Sequence, residues 1–194
     1  MNIKPYHHGD LRAVIIKKGI EFINEHGAKS LSLRKIAAAC GVSHAAPYSH
    51  FANKDELLSA IEKHITEKFA TVLKESVKEA GETSEGLFRM SCAYVLFFAR
   101  NPEYYRFIFI HSDIEVGGED DDDYEPYDLF VDFFEKLFNN IDYPKEIRKK
   151  TLYAQFAMMH GLASLAVMSN AHEQIHVWEE KVLDILSNNY LISR

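Results

Sequence analysis

Apolar positions recur along the chain at intervals of three and four residues. No stretch alternates apolar and polar positions long enough to make a half-buried strand. The pattern predicts an all-α fold of about nine helices. The first spans residues 10–25, with Leu11, Ile15, Phe22 and Ile23 inward and Gly27 as a left-handed stop. A second follows Ser32, whose hydroxyl is placed to cap free amides, and ends at Gly41. A short third helix opens at Ser43. The fourth begins after Asn53, three residues before Glu56 as in a capping box, and extends toward residue 80. The fifth and sixth cover residues 84–100 and 102–110, with Pro102 in a first turn that tolerates it. Three more cover residues 126–139, 144–169 and 174–190, after a Gly-Gly-Glu-Asp-Asp-Asp-Asp run that suits a solvated loop.

Composition adds bounds to this outline. With 194 residues, 47% of them hydrophobic and 26% charged, the chain can bury a substantial core. Two parts are expected, residues 1–54 and 55–194, joined through the fourth helix rather than by a flexible linker. The longest apolar run, residues 92–99, is far short of the roughly 20 that a membrane-spanning helix needs. The first residues show no apolar stretch behind their charge, so neither a secretory signal nor a membrane partner is expected. Cys40 and Cys92 fall in helical apolar patterns and suit neither a disulfide framework nor a metal site. A cytoplasmic protein without a cofactor is the expectation.

Charge is unevenly spread. Residues 1–54 carry eight Lys/Arg and three acids, a balance of +5; the rest carries 14 basic and 26 acidic residues, a balance of −12. A basic first quarter on an acidic body suits a polyanion-binding module attached to a solubilising domain.

The stretch Leu31-Ser-Leu-Arg-Lys-Ile-Ala-Ala-Ala-Cys-Gly-Val-Ser-His-Ala-Ala-Pro-Tyr-Ser-His-Phe51 gives that module a form. A helix-turn-helix needs two short helices crossing steeply at a turn that usually contains glycine. Small residues at 37–39 allow close approach, Gly41 makes the turn, and Val42 fills the angle. Ser43 is placed to cap the next helix, whose first-turn amides suit phosphate. His44, Ala45, Tyr48 and Ser49 are short or flat enough to enter a major groove. Pro47 lacks an amide hydrogen and disfavours helical geometry at Ala46, which predicts a tight, partly 3₁₀ first turn.

These residues resemble the amino-terminal signature of the TetR family of regulators: Ser32-Leu-Arg-x-Ile-Ala, Gly41-Val-Ser, Ala46-Pro-Tyr-x-His-Phe51, then Lys54 and Leu57-Leu58. Tyr6-His-His-Gly-Asp-Leu-Arg12 is similar to the lead-in of one branch of that family. The resemblance implies that Tyr48, His50 and Lys54 hold phosphates and that residues 43–48 form the recognition helix. The candidate DNA-binding set is Ser32, Arg34, Ser43, His44, Ala45, Ala46, Tyr48, Ser49, His50 and Lys54. Arg12 and Lys35 suit DNA and a solvated, ion-paired face about equally.

The second part resembles the family's regulatory domain at Asn101-Pro-Glu-Tyr-Tyr-Arg-Phe-Ile-Phe109 and His160-Gly-Leu-Ala163. The resemblance implies that its last two helices pair with those of a second subunit. Gly161, Ala163, Ser164 and Ala166 offer close approach, with Val177, Val182, Ile185 and Leu186 on the final helix. A homodimer would set two recognition helices roughly 34–36 Å apart, on double-stranded DNA carrying an inverted repeat. Most aromatic residues of this part serve the core. Tyr94, Phe98, Tyr105, Phe109 and Phe156, with Met159 and the polar His111 and His160, are candidates to line a site for a small-molecule effector. The expected function is a sequence-specific DNA-binding regulator, a repressor released by that effector, and not an enzyme.

Two other readings compete with this one. His172-Glu-Gln-Ile-His176 satisfies the H-E-x-x-H pattern of zinc hydrolases, but only 18 residues follow it, and a third ligand would have to come from Glu179, Glu180 or Asp184. A helical interaction module that does not touch DNA would leave the basic first part without explanation.

Overall fold

The computed structural model describes residues 11–111 and 124–187. Among these residues there are eight α-helices and no strand. They are α1 (Leu11–His26), α2 (Leu33–Cys40), α3 (Lys54–Val77), α4 (Ser84–Arg100), α5 (Pro102–Arg106), α6 (Glu125–Asn140), α7 (Lys145–Met168) and α8 (Ile175–Ser187). The short third helix expected from Ser43 is instead a 3₁₀ turn, Ala46–Ser49, which is why eight α-helices stand where about nine were predicted. No helix among the described residues is long and apolar enough to cross a membrane. The acidic run at 119–123, the lead-in at 6–10 and the last residues of the predicted final helix lie outside the described residues.

The chain forms two compact units. One comprises Met1–Ile65 with Arg106–Asp113, the other Thr66–Tyr105 with Ile114–Arg194. The division falls inside α3, at residues 65 and 66.

In the first unit α1 buries Ile15, Ile16, Ile20 and Ile23, and α2 buries Leu33, Ile36 and Ala37. Gly19 sits where α1 meets α3: a Cβ there would lie 2.7 Å from Ile61 Cδ1 and 3.9 Å from Leu57 Cδ1. A π-helical turn, Phe107–His111, closes the sixth predicted helix, with Phe107 and Ile108 buried. It packs on α1, and Arg106 donates to Asn24 Oδ1 at 3.0 Å.

In the second unit α4 is the central helix and packs chiefly on α7 and α8. Thr83 Oγ1 caps it by accepting from the Gly86 amide at 3.1 Å. Gly86 is required there, because an added Cβ would lie 1.9 Å from the Gly81 carbonyl oxygen. The carboxyl end of α6 is closed by Arg148, which donates to the Tyr143 carbonyl (3.0 Å), Asn139 Oδ1 (2.8 Å) and the Phe138 carbonyl (3.3 Å), with its guanidinium over the Phe138 ring.

Candidate DNA interface and effector site

The 3₁₀ turn Ala28–Ser30 leads into α2. Ser32, in an extended conformation, accepts from the Lys35 amide at 3.3 Å, so the predicted cap is in place. At the other end Gly41 is left-handed (φ 68°), and the Gly41 and Val42 amides close onto the carbonyls of Ala38 and Ala37. A residue with a Cβ is disfavoured in that conformation. Of the three small residues before the turn only Ala37 is buried; Ala38 and Ala39 are exposed.

The segment after Gly41 departs from the expected helix. Its backbone bonds run from Ala46 to Ser43, Tyr48 to Ala45 and His50 to Pro47, all at 3.0–3.1 Å and three residues apart. Pro47 has no N–H to give the Ser43 carbonyl four residues back, and it restricts Ala46, so the tighter spacing prevails. Ser43 therefore contributes its carbonyl to a turn and is not the side-chain cap of a helix; the position before the 3₁₀ turn is Ala45, without a side-chain cap. Pro47 and Phe51 are buried and anchor the turn, and Arg12 lies over the Phe51 ring, 5.3 Å from its centroid.

That anchoring leaves Ser43, His44, Ala45, Tyr48 and Ser49 exposed, with Ala46 and His50 half-buried. Tyr48 is 51% exposed despite its large apolar ring. Ser49 Oγ donates to the Ala46 carbonyl at 2.7 Å, a local bond that competes with any base contact. Asn53 Oδ1 accepts from the Glu56 amide at 2.9 Å, and the Glu56 carboxylate accepts from the Ala52 amide at 2.5 Å. This capping box starts α3 at Lys54, whose ammonium donates to the Lys29 carbonyl at 3.4 Å. Arg34 is exposed on the first turn of α2.

In the second unit the structure brings together five of the eight residues proposed to line an effector site. His160 lies between two tyrosines, with Nδ1 at 3.0 Å from the Tyr94 hydroxyl and Nε2 at 3.1 Å from the Tyr105 hydroxyl. Phe156 stacks on the imidazole (5.9 Å between centroids), and Phe98 meets both tyrosine rings at 5.4 Å. A neutral imidazole carries one donor and one acceptor, so one tyrosine donates to it and the other accepts. Burial lowers the His160 pKa below its ordinary value. Burial, together with the nearby Tyr124 and Tyr105, raises that of Tyr94 well above the usual phenol value.

Three further candidates remain. Met159 is fully buried on α7. Phe109 belongs to the first unit, and the His111 side chain lies outside what is described. Beside the cluster, Gln155 donates to Ser91 Oγ at 3.1 Å, both side chains buried. Sequence reasoning missed this pair because a lone glutamine in a helical pattern looks like a solvent-facing residue.

The two cysteines are free thiols. Burial pushes Cys92 up to about 11 and raises Cys40 as well, so both are poor nucleophiles. His172 lies in the 3₁₀ turn Ala171–Gln174 and His176 in α8. No group of three His, Cys, Asp or Glu side chains able to hold a metal occurs among the described residues.

An all-helical chain whose basic first unit presents a helix-turn-helix belongs to the class of DNA-binding transcriptional regulators. The amino-terminal domain is of the TetR type: residues 15–61 match the model of the bacterial regulatory proteins of the tetR family. No curated protein matches the chain. Among solved structures of similar fold is the fatty acid degradation regulator FadR of Bacillus halodurans, at 16% identity and a TM-score of 0.70 over 96% of this chain and 98% of that one. FadR of Bacillus subtilis, solved in complex with stearoyl-CoA, is 17% identical with a TM-score of 0.69 over 91% and 97%. A Rhodococcus sp. RHA1 protein of unknown function is 24% identical with a TM-score of 0.69 over 94% and 98%.

Proposed function

We propose that this protein is a homodimeric, cytoplasmic repressor that binds an inverted-repeat operator and is released from it by a small-molecule effector. The observation that carries the reading is the 3₁₀ turn Ala46–Ser49, anchored by buried Pro47 and Phe51 while Tyr48 and its neighbours face outward. A half-exposed tyrosine on a rigid turn, next to a lysine at the start of α3, suits the edge of a DNA groove and its flanking phosphates.

Dimerisation is supported by apolar residues exposed along α7 and α8: Leu165 (56%) and Met168 (78%), with Val177, Leu183 and Ile185. Gly161 belongs to this exposed face. Ala163 and Ala166, expected to admit a second subunit, are instead fully buried within their own unit, as are Val182 and Leu186. They are core residues, because α7 and α8 turn these positions toward α4.

For the effector, the aromatic surroundings of His160 suit a ligand with an apolar body and a hydrogen-bonding group, in keeping with the acyl-CoA held by one protein of similar fold. Binding such a ligand would favour a half-site spacing that does not match DNA. The test is duplex binding by the wild type and by Tyr48→Ala with Lys54→Ala. The variant should bind at least ten-fold more weakly while melting as the wild type does; unchanged affinity would reject the assigned contacts.

A further inference from the structure

Lysines converge on the 3₁₀ turn Ala28–Ser30. Lys35 Nζ donates to the Ser30 carbonyl at 2.8 Å and lies 5.5 Å from the centre of the Phe22 ring. Lys54 Nζ reaches the neighbouring Lys29 carbonyl at 3.4 Å, and the Lys29 side chain is exposed on the same turn. Two ammonium groups therefore hang on adjacent carbonyls, one of them that of Lys29 itself.

None of these three lysines takes part in an ion pair among the described residues. Elsewhere acids are close at hand: Lys18 meets Glu21, Lys74 meets Glu125, Arg89 meets Glu79 and Glu85, and Arg100 meets Glu179. Like charges gathered without an ion-pair partner raise the free energy of the isolated protein, and an arriving anion relieves it. The carbonyls and the Phe22 face hold Lys35 and Lys54 in place, so less side-chain entropy remains to be lost on binding.

We propose that Lys29, Lys35 and Lys54 form a clamp for DNA backbone phosphate, extending the contact from the helix-turn-helix to the turn that precedes α2. This rests on the reading of the first unit as DNA-binding and adds Lys29 and Lys35 to it. The clamp strengthens binding to every duplex alike and leaves sequence choice to the turn at 46–49.

The test uses the full chain on the duplex that the wild type selects, with affinity measured from about 50 to 200 mM salt. Lys29→Ala and Lys35→Met are compared with the wild type, methionine keeping an apolar stem over Phe22. Lys149→Ala, in the second unit, is the control. Each clamp variant should lower the slope of log affinity against log salt by about 0.9 and weaken binding about five-fold near 0.15 M, with the preferred sequence and melting temperature unchanged. The control should keep the full slope. Full slopes in both clamp variants, or a loss of affinity that merely follows a loss of folded protein, overturn the clamp alone. A wild type that binds no duplex overturns the DNA-binding reading and the clamp with it.

Discussion

At the scale of single residues, three glycines separate backbone geometry from packing. Gly41 has open space around it but a left-handed backbone, so Gly41→Ala should destabilise by about 1–2 kcal/mol through strain. Gly86 has no positive φ but faces the Gly81 carbonyl, so Gly86→Ala should cost about 1–3 kcal/mol through overlap. Gly161, in mid-helix with nothing within 4 Å of an added Cβ, should gain up to about 1 kcal/mol in the isolated subunit as alanine. Denaturant midpoints of the three variants check the order. His160 adds a pH dependence. Its folded pKa is depressed, so the unfolded chain binds the proton more readily; the stability it contributes is full above the unfolded value of about 6.5 and is lost as pH falls through the folded one. Melting temperatures measured across that range should fall less steeply for His160→Gln than for the wild type. Parallel curves would show that His160 does not titrate with folding.

At the scale of elements, the helix-turn-helix owes its form to one proline. Pro47→Ala restores a donor for the Ser43 carbonyl four residues back and frees Ala46, so the 3₁₀ turn should extend into an α-helix and re-aim Tyr48. The consensus selected from random duplexes should change while the salt slope stays the same; an identical consensus would mean that the turn does not read bases. The sequence made much of this element legible: Ser32 as cap, Gly41 as turn, and the tight geometry at Pro47. Ser43 did not cap a helix, because the proline placed four residues later moved the first helical bond past it. In the second unit Phe156 and His160 lie four apart on α7 and so share one helix face. That Tyr94 and Tyr105 would both reach His160 was not legible, since it depends on how α4, α5 and α7 pack. The lysines on the Ala28–Ser30 turn were equally hidden. Position 29 lies outside the motif, and Lys35 looked as suited to a solvated face as to DNA.

For the molecule as a whole, the proposed homodimer rests on the exposed apolar face of α7 and α8. Gly161→Ala, although stabilising within one subunit, should weaken association, and sedimentation at graded concentrations should show more monomer than in the wild type. The central claim is that two copies present two recognition turns to one duplex. Selection from random duplex DNA, followed by sequencing, tests it most directly. The account predicts enrichment of an inverted repeat with half-site centres one helical turn or a multiple apart, bound with an affinity that falls steeply as salt rises. No enriched palindrome, together with salt-insensitive affinity, would contradict it.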